Sequence, residues 1–170
     1  MRVFLDANIL FSAAKSVGAI RRLVEQIQAR GHECVADEYV IAEARRNLEQ
    51  KFTTALPDFE RLLNCISRLA SPPALPVPSL DLLLPEKDRP VLTSAIQHRC
   101  HALLTGDKTH FGRLYGQTIA GVSIHSRQGL ARRSREQGKA ERRIQRIKRQ
   151  KAVYGNITQQ VVIFPAEPKL

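Results

Sequence analysis

The sequence contains no run of about 18 apolar residues, the length that spans a bilayer, although 43% of its 170 residues are hydrophobic. No basic-then-apolar leader opens it, because the chain already reads as a strand from Arg2. Cysteine is sparse. Cys34, Cys65 and Cys100 lie 31 and 35 positions apart with no C-x-x-C among them. An odd, scattered set argues against a disulfide framework or a zinc site and for thiols in a reducing compartment. The His98-Arg99-Cys100-His101 cluster fits no common zinc spacing either. The phosphate loop G-x-x-x-x-G-K-[ST] and the elbow G-x-S-x-G are both missing, which argues against those nucleotide-binding and esterase chemistries. Together these absences lead us to expect a cytoplasmic protein without a membrane segment.

Acids are also scarce, 16 against 27 Lys/Arg, for a net charge of +11. The surplus is uneven. Residues 131–170 hold 11 basic residues against 3 acids, whereas residues 1–130 hold 16 against 13. The length suits one domain with an extension, so the expected organisation is a globule at 1–130 and a basic appendage at 131–170 that suits a polyanionic partner.

Strand and helix signals alternate within the globule. Arg2–Leu5 reads as a strand. Ser16 is placed to cap a helix carrying Ile20, Leu23, Val24 and Ile27, which Gly31 ends. A strand at 33–36 follows, then a helix capped by Asp37 with Ile41, Ala44, Leu48 and Phe52 on one face. Pro57 opens a third helix. The four prolines of 71–79 make an extended connector, and LDLLL at 80–84 is ambiguous. A helix from about 88 to 99, a strand at 101–105, a short helix near 108–115 and a strand at 121–124 complete the series. Such alternation predicts an α/β fold with a parallel sheet covered on both faces, whose ligands bind at the carboxyl ends of the strands.

Asp6 is the odd residue in that pattern. It stands between the strand Arg2–Leu5 and a second apolar run, Ile9-Leu10-Phe11. A charge there costs several kcal/mol unless it is paired or holds a cation. Asp107 ends the strand HALLT through a Thr-Gly turn, and Asp88 stands at the amino end of a helix. Acids at strand exits can converge on one point, and a hard divalent cation taking oxygen ligands is the natural partner. Each also has an ordinary alternative: a cap for Asp6 and Asp88, a plain turn for Asp107. Converging carboxylates should repel, raise at least one carboxyl pKa and make Asp6→Asn stabilising without metal.

FLDANIL near the amino terminus, AEARRNL near residue 43, KDRPVLTSAI and LLTGDKTHFG occur in an order that resembles the PIN domain over roughly residues 1–126. The resemblance implies a three-layer α/β/α fold and a metal-dependent ribonuclease of the VapC-like toxin type, from type II toxin–antitoxin pairs. It further implies that Asp6, Glu43, Asp88 and Asp107 hold Mg²⁺ or Mn²⁺ and carry catalysis, with Asn8 and Thr105 as polar supports. RNA as substrate, a cognate antitoxin and a homodimer come with it as expectations. Periodicity does not select Glu43, which lies off the apolar stripe of its helix, with Glu38 and Glu49 as rival acids. The chain departs from some relatives after Asp107, where Thr109-His110 replace a further acid. His110 reads as a surface residue able to touch phosphate.

Two rival readings remain. A strand-end Asp with a distant T-G-D-K suggests a haloacid-dehalogenase-type phosphatase, but that chemistry needs a second Asp where Asn8 stands. A non-catalytic nucleic-acid-binding or regulatory module with a vestigial acid cluster is supported by the basic tail. Candidate phosphate contacts are Lys108, Arg89 and Arg45 or Arg46 near the mouth, and Arg142, Arg143, Arg146, Lys148 and Arg149 in the tail. The tail reads as a solvated helix with Ile144 and Ile147 as its narrow apolar stripe, followed by a short strand at 160–164.

Overall fold

The computed structural model describes residues 1–72, 84–129, 132 and 143–149. By its internal contacts the chain divides into a unit Met1–Ala131 and a unit Arg132–Leu170. The first unit is built on a six-stranded sheet: β1 (Arg2–Leu5), β2 (Glu33–Asp37), β3 (Ser67–Leu69), β4 (Ala102–Thr105), β5 (Thr118–Ile119) and β6 (Val122–Ser126). The strand order is β3-β2-β1-β4-β6-β5, parallel throughout except for the β5–β6 pair. Its helices are α1 (Ala7–Lys15), α2 (Ala19–Ala29), α3 (Glu38–Lys51), α4 (Leu56–Asn64), α5 (Arg89–Gln97) and α6 (Lys108–Phe111).

The central strands are apolar because both their faces are covered. β4 is buried along its whole length and β1 everywhere except Arg2. Phe4, Leu5, Leu103 and Leu104 join Ile9 and Leu10 of α1, Leu48 of α3 and Phe59 and Leu63 of α4 in one core. From β1 the chain steps outward to β2 and β3. It then returns to β4 and continues to β6 on the other side. The direction therefore reverses between β1 and β4, and the crevice at the carboxyl ends of those two neighbours is where such sheets bind ligands.

Local chemistry explains most boundaries. Asp37 Oδ1 accepts from the Val40 N–H at 3.0 Å, so the expected cap of α3 is present. Gly31, at φ +74, ends α2 in a conformation that costs glycine little. Pro57 stands in the first turn of α4. Ser16 does not cap α2. It closes α1 in extended conformation, and Gly18 is the N-cap of α2 with no side-chain bond. Two strands went unforeseen. β3 is three residues of mixed polarity at an edge, and β5 is two residues returned by Ala120-Gly121, both at positive φ as in a type I′ turn. The connector at 73–83, Arg142 and the expected strand at 160–164 lie outside the described residues. In the second unit, residues 143–149 are helical, with Ile144 and Ile147 exposed. No helix among the described residues is long and apolar enough to cross a membrane.

Candidate metal centre

β1 delivers Asp6 to the crevice. Its backbone N–H donates to the Leu104 carbonyl at 3.1 Å, which extends the β1–β4 ladder by one residue and sets Asp6 beside Thr105. The carboxylate is buried, and both its oxygens accept hydrogen bonds. Oδ1 accepts from the Ala7 N–H at 2.6 Å, while Oδ2 accepts from Asn8 Nδ2 at 2.6 Å and Thr105 Oγ1 at 2.5 Å. Asn8 Oδ1 in turn accepts from the Gly106 N–H at 2.6 Å, and Thr105 Oγ1 accepts from the Asp107 N–H at 3.1 Å. Asn8 and Thr105 thus tie the ends of β1 and β4 together through Asp6. Gly106 keeps this bond open, since a Cβ there would come within 2.8 Å of Asn8 Oδ1 and would displace the Asn8 amide.

Asp107 caps α6. Its Oδ1 accepts from the Thr109 N–H at 2.8 Å and the His110 N–H at 3.1 Å. His110 is no free surface residue. Half-buried, it donates from Nδ1 to Asp107 Oδ2 at 2.7 Å, and the same nitrogen lies 3.2 Å from Asp88 Oδ2. Asp88 is the residue before α5, yet its carboxylate caps nothing, and its buried Oδ2 accepts no hydrogen bond among the described residues. One ligand atom each from Asp88, Asp107 and His110 falls within 4.8 Å of the others.

A cavity of about 540 Å³ collects the four acids. Asp6, Glu43, Asp88 and Asp107 all line it, although the chain places them 37, 45 and 19 residues apart. Glu43 is exposed to solvent and faces this cavity, whereas Glu38 and Glu49 border a different concavity with Arg45 and Arg68. Residues whose role the sequence left open or did not suggest also line it: Phe11, Tyr39, Arg46, Asn47, Lys51 and Lys87. Of the expected cations at the mouth, Arg45 pairs with Glu60 at 2.5 Å and lies over Phe59, and Arg89 donates to the Leu84 carbonyl at 3.0 Å. Lys108 is exposed and is not part of the lining. The His98-Arg99-Cys100-His101 cluster is spread apart, with His98 against the Ala70 carbonyl, His101 Nδ1 accepting from the Arg2 N–H, and Cys100 buried.

The electrostatics follow from burial more than from mutual repulsion. Desolvation pushes the Asp6 carboxyl from 3.8 up to about 6, against the hydrogen bonds from Thr105, Ala7 and Asn8, with the charge of Glu43 a lesser contribution. Burial likewise raises Asp88, opposed by the positive charges of His110 and Lys87. Burial acts upward on Asp107 too, but the hydrogen bonds and charge of His110 outweigh it and hold that carboxyl below its usual range. The expected raised pKa is present, though its first cause is lost water. The donor set is hard carboxylate oxygen with one imidazole nearby, and Asp88 Oδ2, buried without a hydrogen bond among the described residues, lies 3.2 Å from that imidazole, so the residues fit a divalent cation.

A mostly parallel sheet with carboxylates gathered at its switch point defines an α/β protein with a carboxylate-lined centre. The chain belongs to the PIN domain family, whose model matches residues 2–109. No curated protein matches the sequence. Among solved structures, a chain in the crystal structure of VapBC2 from Rickettsia felis bound to a DNA fragment from their promoter is similar in fold. Its TM-score is 0.57 at 15% identity, over 74% of this chain and 98% of that one.

Proposed function

We propose that the protein is a metal-dependent endoribonuclease, the toxin of a toxin–antitoxin pair. The carrying observation is that Asp6, Glu43, Asp88 and Asp107 line one cavity at the switch point of a PIN-family sheet. These four residues would hold Mg²⁺ or Mn²⁺. The ion, when bound, supplies Lewis-acid chemistry that polarises water and offsets charge on a phosphodiester. The chain's own part is positional. Asp6 is fixed by three donors, so its carboxylate keeps one orientation. Asn8 and Thr105 transmit that constraint from β4. His110 orients Asp107 through Nδ1. Cleavage of RNA by the purified protein in Mg²⁺ or Mn²⁺, abolished by chelation and restored by added metal, is the expected result. Cleavage that persists in chelator would reject the metal mechanism.

The basic extension, residues 131–170, is proposed to bind RNA phosphates outside the cavity. Arg143, Arg146, Lys148 and Arg149 are exposed on a helix there. Truncation after Gly129 should weaken RNA binding and flatten its salt dependence by about 0.7 of a log–log unit for each phosphate contact removed. An unchanged slope would assign the extension to assembly or antitoxin contact. That charge also favours a second reading, a nucleic-acid-binding module with an idle acid cluster, which calorimetric titration with Mn²⁺ separates from the enzyme. The likeness to a chain of a VapBC2 structure supports the toxin setting, and a cytoplasmic location is proposed with it. A small antitoxin encoded beside this chain tests that setting, and sedimentation tests the proposed homodimer.

A further inference from the structure

α3 presents to the cavity a row of side chains of which the metal chemistry uses only Glu43. Tyr39, Glu43, Asn47 and Lys51 recur every fourth residue, so they stand one above another along one face, with Arg46 beside them. At about 1.5 Å per residue the row runs roughly 18 Å, long enough for several nucleotides. Lys87 faces it from the turn before α5. Neither Arg46, Lys51 nor Lys87 forms an ion pair among the described residues, in contrast to Arg45, which is held by Glu60.

Tyr39 is the unusual member. It is 42% exposed, and the other exposed large apolar residues among those described, Met1, Val17, Ile144 and Ile147, are not aromatic. The residue is held through its backbone and, more loosely, through its hydroxyl. The backbone N–H donates to Ser71 Oγ at 2.9 Å and the hydroxyl donates to the Lys87 carbonyl at 3.4 Å. A tethered aromatic face at the edge of an acid-floored cavity, followed along the helix by unpaired cations, matches the two chemistries of a single strand: stacked bases and a row of phosphates.

We propose that this face of α3 is the substrate track: it takes single-stranded RNA, with Tyr39 stacking on a base beside the acids and Arg46, Lys51 and Lys87 taking phosphates. The inference rests on the ribonuclease reading and deepens it. A duplex keeps its bases stacked inside and offers no face to Tyr39. An acidic peptide would use the cations but not the ring.

The test is the affinity of the full chain, in Mg²⁺, for a short cleavage-resistant phosphorothioate RNA. The strand is presented single, then annealed to its complement, and followed by fluorescence anisotropy. The single strand should bind more tightly than the duplex. Tyr39→Ala should weaken single-strand binding about tenfold or more, as loss of a stacked base does, while Tyr39→Phe should bind as wild type and Tyr39→Leu should not. Arg46→Gln with Lys51→Gln should flatten the salt dependence by about 1.4 log–log units. Melting temperatures check that the variants are folded. Single-strand affinity unchanged in Tyr39→Ala, or equal affinity for duplex, overturns the proposal. Should wild type bind as expected but fail to cleave natural RNA, the nuclease reading falls and the track stands.

Discussion

Replacing Asp6 with Asn should reduce RNA cleavage by at least about a hundredfold and should leave the metal-free protein no more stable than wild type. The loss of cleavage follows from removing the most buried of the four carboxylates, the one that anchors the centre to both β1 and β4. The stability half is less obvious, because charge repulsion alone predicts the reverse. Ionised Asp6 costs the folded state about 3 kcal/mol, from a carboxyl moved from 3.8 to about 6. Asn removes that cost. Yet every contact of this side chain is with a donor: the Ala7 N–H, Asn8 Nδ2 and Thr105 Oγ1. The new amide would keep its oxygen on Ala7 and turn its own NH₂ toward Asn8 Nδ2. Thr105 can rotate its hydroxyl to accept. Asn8 cannot adapt, because its oxygen is held by the Gly106 N–H at 2.6 Å. Two opposed buried donors cost about 1–3 kcal/mol each, which cancels the relief. The double exchange Asp6→Asn with Asn8→Asp restores an acceptor at the clash and should recover stability in chelator without recovering full activity. Thermal melts in chelator and a cleavage assay check both halves. A large rise in melting temperature for Asp6→Asn alone would mean that repulsion, not hydrogen bonding, governs the site.

How much of this was legible beforehand depended on the range of the interaction involved. β1, α3, α4 and β4 were readable because their periodicity and caps are local: Leu5 to Asp6, Asp37 to Val40, Pro57 at its helix start. β3 and β5 were not, since three and two residues at sheet edges carry no pattern and exist only because a neighbouring strand pairs with them. Asp6 and Asp107 announced themselves by falling at strand exits. Glu43 did not, because its angle on α3 is that of a solvated residue, and only the fold shows that the solvent on that side is the cavity. His110 was read as surface for the same reason: its contact with Asp88 depends on where α5 begins, more than twenty residues away. Tyr39 and Lys87 carried no local signal of the cavity at all.

Without metal, stability should fall as pH rises from about 4 to about 6, and bound Mn²⁺ should nearly cancel that fall. Below pH 4, Asp6 is protonated whether the chain is folded or not, and contributes nothing. Between 3.8 and about 6 the unfolded chain has released the proton that the folded chain still holds, so each step up in pH favours unfolding. Above 6 the whole cost of about 3 kcal/mol is present. Burial raises Asp88 as well, which adds to the slope. Asp107 acts in the opposite sense, because His110 lowers its pKa, so its stabilising contribution is lost as pH falls. Asp6 is the most deeply buried of the three and sets the direction. At this chain length 1 kcal/mol moves the melting temperature by roughly 2–4 °C, so the metal-free drop should be about 9 °C. Mn²⁺ binds the ionised carboxylates. At a hundred times its dissociation constant it should return about 2.7 kcal/mol above pH 6 and almost nothing at pH 4. Differential scanning fluorimetry across pH in chelator and in Mn²⁺ measures both limbs. Asp6→Asn should flatten the chelator profile, whereas Asp107→Asn should keep its fall. A chelator profile that is level between pH 4 and 6 would show that Asp6 is solvated, and melting temperatures unmoved by Mn²⁺ at neutral pH would show that the four acids do not act on one ion.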